Sequence, residues 1–148
     1  GKVLIQGRDA IQIPENEKRS LYGYVEQTFH RVPGTVKDQI TLYDDSFTME
    51  EVREAATIAG LDATIEQLEK GYDTLCTSEI FSQGQWQLLS IARAVAKPKL
   101  LLLDEITANL DAQTEEEVLQ ALKRASEGRT VISISHRVNA ETGRIITF

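Results

Sequence analysis

The feature that most limits what this sequence can fold into is a run of four leucines, Leu100–Leu103, followed directly by two carboxylic acids, Asp104 and Glu105. A short apolar run that ends in charge is typical of a strand inside a parallel sheet whose two faces are both covered by helices. The run therefore predicts a fully buried strand with two carboxylates at its end.

Helical patterns lie on both sides of that strand. Ser82–Gln85 has the form Ser-x-x-Gln, a capping box, and the helix that it begins must close before Pro98. Asp111 stands where it can cap a second helix, which Gly128 ends. The β-branched segment Thr130–Ser135 predicts the next strand. The order helix, strand, helix, strand indicates a parallel α/β sheet.

The first half of the chain is more mixed. Lys2–Gln6 and Leu21–Glu26 predict short strands, joined by a polar connection around Pro14. A further capping box at Thr48–Glu51 begins one helix, and Ala63–Lys70 predicts another. A mostly helical insert thus precedes the alternating half of the chain.

Composition excludes several classes of protein. The chain has 148 residues, 41% of them hydrophobic, which suits one domain with a sizeable core and excludes a disordered tail. No apolar run approaches the roughly 20 residues of a membrane-spanning helix. The single cysteine, Cys76, allows no internal disulfide and fits a reducing compartment. A net charge of -7 disfavours sequence-independent nucleic-acid binding, so we expect one soluble, acidic, globular domain.

Three predicted strands end in polar side chains: Gln27, the pair Asp104 and Glu105, and His136. In a parallel sheet, ligands bind beyond the carboxyl ends of the strands. One carboxylate there can hold Mg²⁺, a second can polarise a water, and a histidine can bond a terminal phosphate, which together suit phosphoryl transfer. Each residue alone has a plainer interpretation as solvated polarity, and only the set favours a site.

The turn Ser82–Gln85 is a candidate phosphate site. At a helix start, backbone N–H groups and the helix dipole attract anions, and Gly84 lets a phosphate approach the backbone closely. The tetrapeptide alone is more simply an N-cap. Its order and spacing with Asp104 and His136 favour the phosphate interpretation.

Four segments, taken in this order, resemble the ATP-binding cassette ATPase family: Phe81–Gln85, Ile91–Ala94, Leu100–Asp111 and Ser135–Arg137. A fifth, Gly34–Ile40, is similar to the Gly-Thr-Val-x-x-Asn-Ile stretch of exporter cassettes. The resemblance therefore covers nearly the whole chain.

The family's functional residues carry over to the matching motif positions. The resemblance implies catalytic roles for Glu105, which activates water, for the switch histidine His136, and for the Q-loop glutamine Gln27. Asp104 ends the Walker B strand and, with Gln27, is implied to hold Mg²⁺. The implied nucleotide-binding positions belong to the signature motif and the D-loop: Ser82, Gln83, Gly84, Gln85 and Asp111.

The resemblance also implies a fold and partners. The fold is α/β and P-loop NTPase-like, a mostly parallel sheet with a helical subdomain insert, and residues 1–148 would form one incomplete domain. The helical subdomain would take about residues 48–97, and the catalytic core about residues 98–148. ATP and Mg²⁺ would bind between two cassettes, and transmembrane domains would complete a transporter with its cassettes on the cytoplasmic side of the cell membrane.

The sequence departs from the family pattern in three ways. Phe81 and Gln83 replace the Leu and the first Gly of Leu-Ser-Gly-Gly-Gln, and Trp86 stands where a basic residue is common; we expect it to pack on the helix surface. No glycine belongs to Gly-x-x-x-x-Gly-Lys-Ser/Thr, the loop that cradles phosphates, so the chain resembles a cassette without its first segment. We therefore expect this fragment to bind MgATP weakly or not at all, to be inactive alone, and to associate through exposed strand edges and faces.

The resemblance implies that a cassette dimer couples ATP hydrolysis to substrate export, with no nucleic-acid partner. One alternative is a soluble cassette ATPase acting on nucleic acid or ribosomes, which the acidic charge and the exporter-like Gly34–Ile40 stretch disfavour. Another is a degenerate cassette that serves as a dimerisation module, which Glu105 and His136 disfavour because both are retained.

Overall fold

The computed structural model describes residues 1–26, 28–96, 98, 100–104, 106 and 110–134 of the chain. The strands are β1 (Leu4–Ile5), β2 (Arg8–Asp9), β3 (Tyr22–Val25), β4 (Leu100–Asp104) and β5 (Thr130–Ile134). The helices are α1 (Glu15–Leu21), α2 (Val36–Thr41), α3 (Met49–Ile58), α4 (Asp62–Glu66), α5 (Gln83–Val95) and α6 (Ala112–Ser126). Within these ranges, no helix is both long enough and apolar enough to cross a membrane.

The strands β3, β4 and β5 form the parallel sheet that the sequence predicts, with β4 in the middle. Leu101 of β4 lies opposite Gly23 of β3 and Val131 of β5. Because the three strands run in one direction, their carboxyl ends lie at the same edge of the sheet. The prediction of a parallel α/β fold is confirmed.

The two faces of this sheet differ in burial. One face belongs to the hydrophobic core and is buried: Val25, Leu101 and Leu103. The other face is open: Tyr24, Ile132 and Ile134 are 47%, 53% and 61% exposed. The prediction of a fully buried strand at Leu100–Leu103 is therefore wrong, because Leu100 and Leu102 point to the open face and are only half-buried.

The helix α5 is the centre of the packing, with contacts to β3, α2, α3 and α6. Its approach to the sheet is so close that a Cβ atom on Gly23 would lie 2.1 Å from the carbonyl oxygen of Ala94. Only glycine fits at that position. Leu89 and Ile91 of α5 are fully buried, and together with Leu101 they form part of one continuous core.

Local capping signals predict the starts of α3, α5 and α6 correctly. Thr48 and Glu51 form a reciprocal capping box at α3, with N–H to side-chain oxygen distances of 2.9 and 3.1 Å. The helix expected at Ala63–Lys70 is shorter, because α4 ends at Glu66. The chain then continues in turns of the 3₁₀ type. In these the N–H of Leu68 donates to the carbonyl of Ile65, and the N–H of Gly71 donates to the carbonyl of Leu68.

The helix α1 is absent from the sequence-based prediction, which places a connection around Pro14. Pro14 occupies the position before the first helical turn, and Glu15 and Glu17 lie in that turn, where the helix dipole favours acidic side chains. No residue of α1 is buried, so the helix has no apolar stripe for a periodicity search to find. An ion pair between Arg8 and Glu17, 2.8 Å long, holds α1 to β2.

The first strand is shorter than the predicted Lys2–Gln6. Gln6 and Gly7 take positive φ values of 51° and 79° and turn the chain back on itself. Leu4–Ile5 then pairs with Arg8–Asp9 as a two-residue antiparallel ladder. A single longer strand is excluded by this turn.

Candidate functional site

The carboxyl end of β4 carries Asp104, as predicted. The hydroxyl of Tyr24, on the neighbouring strand β3, donates a hydrogen bond to Asp104 Oδ2 at 3.1 Å. This bond, together with some desolvation and the carboxylate's charge, raises the pKa of Tyr24 above its ordinary value. The phenol is therefore a neutral donor at physiological pH, and it fixes one oxygen of the carboxylate that the sequence proposes as a Mg²⁺ ligand.

Three proposed catalytic residues, Gln27, Glu105 and His136, lie outside the described residues. The strands that lead to them are described. Each of these strands ends at the edge of the sheet that carries Asp104, because β3, β4 and β5 are parallel and adjacent. The roles of the three residues stay predictions.

The turn Ser82–Gln85, named the signature turn below, begins α5 with the predicted capping box. Ser82 Oγ accepts from the backbone N–H of Gln85 at 3.2 Å, and Gln85 Oε1 accepts from the N–H of Ser82 at 2.9 Å. The first intrahelical bond is donated by Trp86 to the carbonyl of Ser82. The N–H groups of Gln83 and Gly84 precede that bond and are the donors that an anion at this helix start can use.

Two of the departures from the family pattern meet in one contact. Phe81, which stands before the N-cap, packs edge-on against Trp86, the fourth helical residue, with ring centroids 5.1 Å apart. An apolar pair at these two positions is a hydrophobic staple, which fixes the direction in which the chain enters a helix. Phe81 is buried, and Trp86 is partly buried and packs against the core, rather than only on the helix surface as predicted. The two aromatic residues therefore stabilise the turn at Ser82–Gln85.

The same tryptophan contacts the segment after Gln27. The rings of Phe29 and Trp86 stack at 5.4 Å between centroids, and the guanidinium of Arg31 lies over the Trp86 ring. Arg93 lies 4.2 Å from the Phe29 ring centroid. Aromatic stacking and cation–π contacts thus connect this segment to the start of α5.

Side chains from α2 and α5 also hold this segment by its backbone. Gln39 is fully buried and binds both backbone groups of Val32, accepting from its N–H at 3.0 Å and donating to its carbonyl at 2.7 Å. Arg93 donates to the carbonyls of Gln39 and His30 at 2.6 and 2.9 Å. Burial, with Arg19 adding to it, lowers the pKa of Arg93 to about 10, so the guanidinium stays charged at neutral pH.

The start of α6 lies against the start of α5. Asp111 caps α6 and accepts twice from Thr114, at 2.9 Å from its N–H and at 2.8 Å from its hydroxyl. These bonds lower the pKa of Asp111. A Cβ atom on Gly84 would lie 2.5 Å from the Thr114 methyl carbon, so the two helix starts are in direct contact. The signature turn and Asp111 are therefore neighbours, while Asp104 lies at the end of β4 beside Tyr24.

The donor set at the sheet edge suits Mg²⁺ with a phosphate ligand. Among the described residues there is no cluster of three or more His, Cys, Asp or Glu side chains that could hold a metal by itself. Mg²⁺ is commonly bound through one or two carboxylates, with waters and substrate phosphates completing its shell. A single carboxylate at Asp104, oriented by Tyr24, fits that pattern.

Sequence reasoning did not find Tyr24 or Thr114. The alternation of side chains along a strand offers a signal for Tyr24. Tyr24 lies on the same face of the sheet as Leu102, and Asp104 follows two residues later on that face.

Cys76 takes no part in the site. Burial raises the pKa of its thiol to about 11, so it stays protonated near neutral pH, as expected of an unreactive cysteine.

Comparison with known proteins gives many matches. The family model for the ABC transporter matches residues 1–108. The uncharacterized ABC transporter ATP-binding protein YfiC of Bacillus subtilis is 44% identical over 142 residues, which cover 94% of this chain and 24% of that protein. ABC transporter B family member 1 of Dictyostelium discoideum is 39% identical over 153 residues, which cover 99% of this chain and 17% of that protein. The chain thus spans a quarter or less of the length of these relatives.

A solved structure, that of a bacterial Atm1-family ABC exporter with ATP bound, is similar in fold and in sequence. Its TM-score is 0.73 at 34% identity, and the match covers 93% of this chain and 25% of that chain. The sequence motifs, the parallel sheet and the family match agree. The chain belongs to the ABC transporter family.

Proposed function

We propose that this chain is part of the ATP-binding and hydrolysing subunit of an exporter, in which a dimer of cassettes couples ATP hydrolysis to substrate movement across a membrane. The observation that carries the proposal is the position of Asp104 at the carboxyl end of the middle strand of a parallel sheet, oriented by Tyr24 at 3.1 Å. The similarity to a bacterial Atm1-family ABC exporter supports the same function.

In this proposal the described residues bind and orient. Asp104 contributes a carboxylate oxygen to Mg²⁺, and Mg²⁺ when bound neutralises phosphate charge. The N–H groups of Gln83 and Gly84, at the start of a helix fixed by the capping box of Ser82 and Gln85, bind the phosphates of ATP presented by a second cassette.

The remaining roles follow the family motifs. Glu105 activates the attacking water, His136 contacts the terminal phosphate, and Gln27 links the Mg²⁺ site to the segment that follows it. Asp111 lies next to the signature turn in the D-loop. The division into a helical subdomain at about residues 48–97 and a catalytic core at about residues 98–148 belongs to the same proposal.

The proposed partners are a second cassette and the transmembrane domains of the transporter, and the site faces the cytoplasm. ATP binding that bridges two cassettes favours the closed dimer, because only that state makes both sets of contacts. The relatives carry transporter names, which favours this assembly over a soluble ATPase acting on nucleic acid and over an inert dimerisation module.

Hydrolysis of MgATP by the full-length protein in lipid vesicles tests the proposal. We expect the wild type to release phosphate and Glu105→Gln to do so at least about a hundredfold more slowly, because it removes the proton acceptor. Binding of a fluorescent ATP analogue should persist in that variant. Glu54→Gln, the same change at an exposed position of α3, is the matched control and should behave as wild type.

Two results would contradict the proposal. A wild-type protein without hydrolysis would refute the assigned activity. Equal rates for Glu105→Gln and Glu54→Gln would refute the role of Glu105.

A further inference from the structure

The contact between Gly84 and Thr114 joins two motifs that lie far apart in the sequence. A Cβ atom on Gly84 would stand 2.5 Å from Thr114 Cγ2, 3.2 Å from its Oγ1 and 3.4 Å from its Cβ. The methyl group of Thr114 is therefore the atom that sets how closely the starts of α5 and α6 approach. Glycine is the residue that permits this approach.

The orientation of that methyl group is fixed by Asp111. The Thr114 hydroxyl donates to Asp111 Oδ2 at 2.8 Å, and the Thr114 N–H donates to Oδ1 at 2.9 Å. Threonine is β-branched, so one hydroxyl bond fixes χ1 and the direction of the methyl group with it. If the Asp111 carboxylate moves, the Thr114 methyl group therefore moves with it, and this is the group against which Gly84 packs.

We propose that Thr114 is a positioning residue that holds the signature turn Ser82–Gln85 and the D-loop residue Asp111 as one unit within a single cassette. The inference rests on the proposed function, in which both motifs meet ATP at the interface of a cassette dimer. In this proposal Thr114 acts through the turn and not by contact with the nucleotide. It fixes the position of the N–H groups of Gln83 and Gly84 relative to Asp111. This position determines how well the turn fits the phosphates.

A second-site rescue tests the contact. In the full-length protein, Gly84→Ala puts a methyl group against the Thr114 methyl group and should raise the apparent KM for ATP at least about tenfold. Adding Thr114→Ser removes the obstructing methyl group and keeps the bond to Asp111. The double variant should then return to within about threefold of the wild-type KM.

Thr114→Val is the matched control. Valine keeps a methyl group at the point of contact and loses the hydroxyl that binds Asp111, so Gly84→Ala with Thr114→Val should not be rescued. In the wild-type background, Thr114→Ser should raise the apparent KM about fourfold with a smaller change in kcat, because a loosened turn weakens ATP-dependent closure.

The melting temperature of each variant separates positioning from simple packing. Rescue of both melting temperature and KM by serine, and of neither by valine, supports the inference. Rescue of the melting temperature alone would show a packing contact without a positioning role, and rescue of neither would show that Gly84 is needed for other reasons; both overturn it. A wild-type protein without ATPase activity would instead refute the proposed function, and the inference with it.

Discussion

The two faces of the three-stranded sheet carry similar side chains in very different surroundings. On one face Val25, Leu101 and Leu103 are at most 6% exposed and pack in the core with α5. On the other, Ile132 and Ile134 are more than half exposed, and Leu102 is half-buried. Residue type alone therefore does not tell which leucine of the run stabilises this chain.

The difference separates two physical consequences of one apolar pattern. Burial of the first face contributes to the folding free energy, at roughly 25 cal/mol per Å² of apolar surface. Exposure of the second face leaves a contiguous apolar surface, which favours association with another apolar surface. Three experiments test this distinction.

The largest effect is expected from paired leucine truncations in β4. Leu101→Ala should lower the free energy of unfolding by about 3 kcal/mol, because it leaves a cavity among fully packed neighbours. Leu102→Ala, the same change one residue later on the open face, should cost about 1 kcal/mol, since part of its surface is already in water. Urea denaturation gives both values, and equal losses would abolish the distinction between the faces.

An effect on association is expected from the open face. We expect the 148-residue chain to self-associate, and light scattering over a range of concentrations should give a mass above that of one chain. Ile132→Lys with Ile134→Lys should shift the mass towards the monomer, because burying two ammonium groups opposes contact between apolar faces.

The control for this experiment is Ser133→Lys, which adds a charge to the same strand at an exposed position whose side chain alternates to the other face. It should leave the association of the chain unchanged. A monodisperse monomer for the unmodified chain would contradict the prediction that the open face drives association.

The smallest effect is expected at the edge of the open face, where Tyr24 donates to Asp104. The pKa of Tyr24 is raised in the folded state, so the stability from this bond is present below the ordinary tyrosine pKa of about 10 and is lost as the pH rises through the raised value. Denaturation midpoints measured from about pH 9 to pH 11 should fall less steeply for Tyr24→Phe than for the wild type.

Asp104→Asn provides the second arm of that experiment. It removes the carboxylate that raises the Tyr24 pKa, so it should flatten the same alkaline slope. If Tyr24→Phe and Asp104→Asn each leave the wild-type slope unchanged, the hydrogen bond does not contribute in solution.

Features coded by neighbouring residues could be predicted from the sequence. The caps Thr48, Ser82 and Asp111 each lie within three residues of their partners, so the starts of α3, α5 and α6 follow directly. The helix α1 could not be predicted because none of its residues is buried. The full burial assigned to Leu100–Leu103 failed because a period-two pattern is invisible in a run of identical residues.

The features of the site likewise divide into those that local sequence predicts and those that it does not. The signature turn and Asp111 could be located by motif and by local capping, whereas their contact through Gly84 and Thr114 depends on how α5 crosses α6. The bond between Tyr24 and Asp104 joins residues 80 positions apart and depends on the register of β3 with β4. Such contacts arise from tertiary packing, to which local patterns give no access.

The aromatic stack at the start of α5 provides an optical probe. Trp86 is the only tryptophan in the chain, and its indole stacks on Phe29 and meets Phe81 edge-on, at centroid distances of 5.4 and 5.1 Å. The tryptophan emission of this chain therefore originates beside the signature turn, within reach of the segment that follows Gln27. A change in wavelength or quenching of that emission reports a rearrangement of this junction without any added label.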